Sequence, residues 1–450
     1  MPDYRNKIIM APMVRIGTLP MRLLALRYGA DLVYTEELID WKFMRCVRRV
    51  NDVLGTIDYV DQTDYTIVFR TCEEEKEKVI LQLGTSDADR ALQVAKLVQD
   101  DVAAIDINMG CPKEFSIKGG MGVALLYNAD KAYKILKTLV DNLKIPVTCK
   151  IRIKESPEAT LEVVNKLVSS GISAITIHGR TRDERPQHAV HPDVIKYVAE
   201  RISIPVIANG GSKEIEKHND IYKFMEASGC KSVMLARAAE WNCSIFRKEG
   251  LLPMDTVIKE YLKLAIDYDN APSNTKYCVQ NILRELQDTE RGRQFLDSQT
   301  MEQICSIWDM GDYCIEKQAS YQKAGIKNRW HVTPNGCEPP NKKNKIEMDL
   351  TDVIELKVCF IRSSFKDTLD LPKSKLHLWA NKNNYKLPKY ETKQEKKLFR
   401  TILTFNNCKY TSSFWEKNKK FAEQGAAIVC LHSLGLLTKE DLIKFDCIMK

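Results

Sequence analysis

Eight short β-branched apolar runs, separated by segments of helical period, constrain this 450-residue chain more than any other feature. They are KIIMAPM (7 to 13), DLVYTEEL (31 to 38), VILQLG (79 to 84), AAIDINMGCP (103 to 112), VTCKIRI (147 to 153), AITIHGR (174 to 180), IPVIANGG (204 to 211) and SVMLARAA (232 to 239). A strand that is apolar at successive positions must be covered on both faces, and the stretches between the runs supply the crossover helices. Residues 87 to 99 (DADRALQVAKLVQ) and 158 to 169 (EATLEVVNKLVS) show the pattern, with an acidic start and apolar positions at three- and four-residue spacing. Eight such units predict an α/β fold, a (β/α)₈ TIM barrel, over residues 6–252. The sites of such barrels lie at the C-terminal rim, so the polar residues that close each run become the candidates.

Beyond the barrel the period changes. Residues 253–325 are helical without strands, and 326–350, rich in Pro, Asn and Lys, are linker chemistry. Residues 351–437 read helix, strand, strand, strand, helix, leaving 438–450 as a tail. The last hundred residues hold 19 Lys/Arg against 11 Asp/Glu, whereas the first 350 are balanced at 49 of each. A basic segment on a neutral body suits a nucleic-acid tether, a solvated lysine-rich surface being the alternative on charge alone. Neither a signal-like start nor a membrane-length apolar run occurs, so a cytoplasmic protein without a membrane partner is expected. Seven histidines and scattered cysteines offer no zinc spacing, so no metal is expected.

The fourth run ends in Asn108-Met109-Gly110-Cys111-Pro112 and leads into Lys118-Gly119-Gly120-Met121-Gly122. With A-P-M near the start, C-K-I-R, I-H-G-R, A-N-G-G and L-A-R-A in order, this set resembles the signature of the tRNA-dihydrouridine synthases over residues 6 to about 325. The C-terminal segment resembles a double-stranded-RNA-binding domain, as in eukaryotic members that modify position 20 of the D-loop. The resemblance implies FMN as bound flavin, NADPH as visiting reductant with NADH possible, tRNA as partner, and reduction of a uridine to dihydrouridine. A monomer is expected.

That reaction needs a hydride at carbon 6 of uracil and a proton at carbon 5. Cys111 matches the family's acid: a thiol with a reference pKa of about 8.5 is mostly protonated at neutral pH and donates without activation. A buried, inert thiol is the plain alternative. Lys150 and Arg152 share one face of the fifth strand. By resemblance Lys150 binds flavin and Arg152 faces flavin or RNA, against a structural ion pair with Asp106. His178 and Arg180 resemble flavin- and substrate-facing residues, although a rim histidine is often only packed. Gln82 and Asn108 offer amides to flavin or uracil. Pro12, Met13 and Val14, from the A-P-M end of the first strand, are further cofactor candidates. Asn209, Gly210, Gly211, Ala236 and Arg237 close the seventh and eighth strands, where barrel phosphate sites form. One phosphate favours FMN, since no G-x-G-x-x-G follows any strand.

Lys417, Lys419 and Lys420 open the last helix, where backbone N–H groups already favour phosphate. This K-K-x-A-E run resembles the phosphate-clamping helix of double-stranded-RNA-binding domains, which read A-form shape. The segment Thr392 to Lys397, read as the loop between the first two strands, lacks the family's Gly-Pro-x-His element, which puts the usual long duplex footprint in doubt. Arg362 and Lys366 are further basic candidates. Two other functions stay open: a flavin reductase of a free pyrimidine or other small enone, and an RNA-binding protein without catalysis.

Overall fold

The computed structural model describes residues 2–326, 352–365, 371–395, 398–416, 418–445 and 447–448. The chain divides into two compact units, 1–328 and 329–450.

In the first unit, twelve strands follow in chain order: β1 Ile8–Met10, β2 Leu32–Tyr34, β3 Leu38–Ile39, β4 Cys46–Asn51, β5 Thr56–Asp61, β6 Ile67–Cys72, β7 Val79–Gly84, β8 Ala104–Met109, β9 Val147–Arg152, β10 Ala174–His178, β11 Val206–Asn209 and β12 Ser232–Leu235. Strands β2, β1, β12, β11, β10, β9, β8 and β7 are parallel neighbours in that order, and β2 pairs with β7 to close the barrel. Each of the eight runs contains one barrel strand. Tyr4, Ile9, Tyr34, Ile80, Ala104, Ala174 and Ile207 pack together among the buried residues of the barrel. Helix starts follow local chemistry: the Asp87 side chain accepts from the Arg90 N–H, and Ser156 accepts from Ala159 N–H.

Residues 44–72 depart from the barrel repeat. Here β4, β5 and β6 form an antiparallel sheet of their own. Their polar and charged positions (CVRRVN, TIDYVD) lack the continuous apolar character of the barrel strands. The insert is anchored by a buried ion pair: Arg22 Nε donates to Glu75 Oε2 at 2.8 Å and Arg22 Nη2 to Glu75 Oε1 at 2.5 Å. Arg22 Nη2 also donates to the carbonyl of Arg70 on β6 (2.7 Å).

After the barrel come helices Met254–Asp267, Pro272–Leu283, Glu290–Asp297, Met301–Ser306 and Gly311–Lys323. No helix among the described residues is long and apolar enough to cross a membrane.

The second unit adds β13 Val353–Leu356, β14 Lys389–Glu395, β15 Leu398–Phe405 and β16 Cys408–Ser412, in the sheet order β13-β16-β15-β14. Helices Pro372–Lys382 and Lys419–Ser433 complete the α-β-β-β-α order, and Leu376, Ala380, Leu403, Phe405, Ala426 and Val429 lie in one core. Two details differ from expectation. Thr392 to Glu395 lie within β14 and pair with β15, so the connection is only 396–397, outside the described residues. Residues 438–450, set apart as a tail, carry a capped helix, Lys439–Lys444, whose Leu442 joins the core together with Cys447. The expected linker, from 327 onward, lies outside the described residues, as do Lys366 and Lys417.

Candidate functional site

Register brings the candidates together. Gln82 on β7 aligns with Asp106 on β8 and Thr148 on β9, and one layer higher Asn108 aligns with Lys150. Above these, Arg152, His178 and Asn209 align across β9, β10 and β11.

Asp106 is fully buried and accepts from Gln82 Nε2 (2.8 Å) and Thr148 Oγ1 (2.7 Å). Burial pushes its carboxyl up to about 6. Gln82 is thereby fixed, with its amide nitrogen committed and Oε1 left as an acceptor. Lys150 makes no hydrogen bond or ion pair among the described residues, so the ion pair with Asp106 weighed from sequence does not form. Burial, then repulsion from Arg152, lowers its ammonium to about 8.

Asn108 does local work. Its Oδ1 accepts from the backbone N–H of Gly110 and of Cys111, both at 3.0 Å, and so shapes the turn that presents the thiol. The K-G-G-M-G segment has a steric reason. Gly122 has φ +57°, and a Cβ there would meet the Cys111 carbonyl oxygen and Ser116 Oγ, each at 2.6 Å. Only glycine lets this loop close over Cys111. Cys111 is half-buried, and burial, then the Glu37 carboxylate, raises its thiol above its ordinary value. Glu37 is the site residue that sequence reasoning missed. Its carboxyl is itself raised by burial and faces Asn108 and Cys111. The one available signal was its position at the polar end of the second run, DLVYTEEL.

Arg152 is largely committed to the backbone: Nε donates to the Gly110 carbonyl (2.9 Å) and Nη1 to the Thr181 carbonyl (2.8 Å). It thus ties the Cys111 turn to the loop after β10. Burial, then Arg185 and Arg180, lowers its guanidinium to about 10. His178 is pushed well below its ordinary value by burial and by the cations Lys150, Arg152, Arg180 and Arg237, so it is neutral.

A cavity at the ends of β10, β11 and β12 is lined by His178, Arg180, Asn209, Gly210, Gly211, Ala236 and Arg237. Arg180 Nη1 donates to the Gly210 carbonyl (2.7 Å), whereas its buried Nη2 has no partner. Gly210 has φ +122°, and a Cβ there would lie 2.8 Å from the His178 ring. Asn209 is fixed by Nδ2 donating to the Met234 carbonyl (2.8 Å). An unpartnered buried guanidinium nitrogen among further cations and close-packed glycines fits an anionic group such as a phosphate. Met13 and Ala236 pack against the same barrel cluster; Pro12 is half-buried beside them in sequence and Val14 is exposed. No group of three His, Cys, Asp or Glu side chains suited to a metal occurs among the described residues.

In the second unit, Lys419 and Lys420 are exposed in the first turn of helix Lys419–Ser433, whose N-cap Asn418 accepts from Phe421 N–H (2.9 Å). Glu423 on that helix accepts from Lys373 Nζ (2.6 Å) and joins the two helices. Arg362 Nη1 bonds the Phe365 carbonyl. Glu416, buried and pushed up to about 7, accepts from Phe360 N–H and ties the segment after β13 to the sheet.

Comparison with known proteins gives two family matches, to the dihydrouridine synthases over residues 9–296 and to the double-stranded RNA binding motif over 372–434. A relative from Schizosaccharomyces pombe, named tRNA-dihydrouridine(20) synthase [NAD(P)+], is 42% identical over 63% of this chain and 60% of its own length. A Saccharomyces cerevisiae protein of the same name is 36% identical over 63% of this chain and 78% of its own. A solved double-stranded-RNA-binding domain of a tRNA-dihydrouridine(20) synthase is 42% identical, covering 18% of this chain and 89% of that one, with a TM-score of 0.18.

Proposed function

The chain belongs to the dihydrouridine synthase family, and on that premise we propose that it reduces a D-loop uridine of tRNA to 5,6-dihydrouridine. FMN is the resident flavin and NADPH the reductant, with NADH able to serve. Position 20 is the target, the position for which both yeast relatives are named. One observation carries the proposal: a rim thiol, Cys111, held by the Asn108 turn beside a barrel mouth in which the buried Arg180 Nη2 has no partner among the described residues.

Arg180, Arg237 and the chain at Asn209, Gly210 and Gly211 would hold the phosphate of FMN. Gln82 would accept from a ring N–H at the flavin's pyrimidine edge, and Lys150 would stabilise negative charge there. Pro12, Met13, Val14, His178 and Ala236 line the remaining flavin surface in this reading. When bound, reduced flavin supplies the hydride for carbon 6 of the uracil ring. Cys111 donates its proton to carbon 5, and its raised pKa keeps that proton in place until it is needed. Asn108 faces the base with its Nδ2 and Arg152 with its Nη2, whereas Arg180, substrate-facing by resemblance, goes to the phosphate in this reading because Nη2 is its one uncommitted nitrogen.

The base must leave the stacked D-loop to reach this depth. Residues 6–252 then form the catalytic barrel, 253–325 a helical domain beside it in sequence, and the segment from 351 through the helix Lys439–Lys444 the module that grips an RNA arm. Lys417, Lys419 and Lys420 supply its phosphate contacts. The protein works as a cytoplasmic monomer in this proposal.

Purified protein incubated with unmodified tRNA and NADPH should yield dihydrouridine, mapped by reverse-transcription stops or mass spectrometry. Turnover of free uracil without dihydrouridine in tRNA would replace the proposal with a small-molecule reductase. A colourless, flavin-free protein would retire it altogether.

A further inference from the structure

Trp41 is 58% exposed, an unusual amount of apolar surface for an indole on a barrel rim. It belongs to the helical turn Asp40–Phe43, directly after β3, and β3 pairs with the last two residues of β7. That places it at the C-terminal mouth. The ring is also held. Its backbone N–H donates to Asp40 Oδ1 (2.6 Å), and the buried Asp40 takes Thr85 Oγ1 (2.8 Å) and Arg90 Nε (2.9 Å) on Oδ2. The Arg90 guanidinium lies 4.4 Å from the indole centroid. One part of the ring is therefore backed by a fixed cation, and the rest is open to solvent.

The same construction recurs along the rim. Tyr127, 46% exposed, has Lys154 Nζ 5.0 Å from its ring centroid and donates its hydroxyl to Glu155 Oε1 (2.6 Å). Lys154 and Glu155 follow β9 closely. Phe115, 53% exposed, rides on the short helix Glu114–Lys118 immediately after Cys111. Strands β2, β7, β8 and β9 are consecutive neighbours, so these three rings sit on loops flanking the Cys111 turn. Lys113, exposed beside Phe115 in sequence, and Lys154 make no ion pair among the described residues.

We propose that the mouth from Trp41 to Tyr127 is a stacking platform for unstacked nucleotides adjoining the base that enters the barrel, with Trp41 its main seat. The proposal rests on the tRNA reading above. The chemistry selects the occupant. A nucleotide offers a π face and a phosphate, and exposed rings interleaved with unpaired lysines offer the complement to both. A uridine withdrawn from a loop leaves its neighbours unstacked, and each gains by finding an aromatic surface. Arg90, its charge balanced by Asp40, acts to hold the ring, while Lys113 and Lys154 meet the phosphates.

The test uses the full chain and two probes, an unmodified tRNA transcript and a blunt RNA duplex without a loop, with binding followed by fluorescence anisotropy across a salt series. Trp41→Ala should weaken tRNA binding roughly 5- to 150-fold, the range for one stacked base. Duplex affinity and the salt slope should stay unchanged, because stacking neutralises no phosphate. Trp41→Phe should retain most of the affinity. Unchanged tRNA binding in Trp41→Ala, or an equal loss for duplex, overturns the platform. So does a change of oligomeric state without a change in tRNA affinity, which would make the patch a self-association surface. Failure of the reductase reading is scored separately: no dihydrouridine from wild-type protein, with tRNA binding still sensitive to Trp41, retires the reaction and leaves the platform.

Discussion

Gly210→Ala separates two costs that the anion cradle imposes on the chain. Gly210 sits at φ +122°, where a side chain is strained, and its added Cβ would lie 2.8 Å from both His178 Cδ2 and Val190 Cγ2. Backbone strain costs about 1–3 kcal/mol, and overpacking about 1–3 kcal/mol more, so the variant should lose about 2–6 kcal/mol. Val190 is buried, and the half-buried His178 has Arg180 Nη1 3.3 Å from its Nε2, so a shift of either neighbour disturbs the cradle. Gly250 supplies the control, since it has φ +105° with nothing within 4 Å of its added Cβ. Gly250→Ala therefore carries the strain alone, about 1–3 kcal/mol. Urea unfolding of full-length protein at fixed FMN concentration measures both. Because the Gly210 carbonyl holds Arg180 Nη1 at 2.7 Å, displacement of the loop should also weaken FMN binding at least about tenfold in equilibrium dialysis, or about 1.4 kcal/mol. Gly250→Ala should leave FMN binding alone. Equal unfolding midpoints for the two variants, with FMN binding intact in both, would refute the close-approach argument.

Glu75→Gln leaves Arg22 as a buried charge without its counter-ion and should destabilise the protein by about 3–5 kcal/mol, read from the denaturation midpoint; a loss under 1 kcal/mol would mean the pair is not holding the β4–β6 insert. Cys111 should alkylate slowly with iodoacetamide at neutral pH, its rate still climbing above pH 9 because its thiol is raised by burial and by Glu37. Glu37→Gln should bring that climb to lower pH, and mass spectrometry of the Cys111 peptide checks both; a plateau near neutral pH would show that Cys111 is a thiolate and no acid. Replacing Lys419 and Lys420 with Ala should weaken binding to any RNA duplex and lower the salt slope by about one per lysine; an unchanged slope would remove both from phosphate contact.

The barrel was legible because burial on both faces forces near-continuous apolar runs, and VILQLG or AITIH admit few other readings. The rim was legible for the same reason: a polar Gln82, Lys150 or His178 inside such a run has to be there for chemistry or for a partner. The insert sheet was not, since CVRRVN is largely exposed and TIDYVD, although buried, carries two aspartates whose charge is met by arginines elsewhere in the chain. Roles were harder to read than places. Asn108 and Arg152 look in sequence like groups aimed at a ligand, yet the Asn108 oxygen is used on the N–H groups of Gly110 and Cys111, and Arg152 on carbonyls of Gly110 and Thr181. Those bonds depend on turns whose course no periodicity encodes. Glu37 was invisible for a related reason, because its meaning comes from Cys111, 74 positions along the chain.

The electrostatics of the mouth argue for what the site is built to receive. Asp106 does not pair with Lys150, because its carboxylate is taken by the neutral donors Gln82 and Thr148. Burial moves the two titrations toward each other, the carboxyl up to about 6 and the ammonium down to about 8. Near pH 7 both remain mainly charged, and nearer the rim burial together with Lys150, Arg152, Arg180 and Arg237 keeps His178 neutral, while Glu184 and Glu214 offset part of the arginine charge. An anion entering the cavity relieves that repulsion and raises the lysine again, so its affinity must decline as pH rises through about 8 and Lys150 loses its proton. A neutral ligand would gain nothing from this arrangement. Glu184 and Glu214 meet the arginines in part, and a ligand that brings negative charge to both the phosphate end and the Lys150 end of the mouth completes the balance.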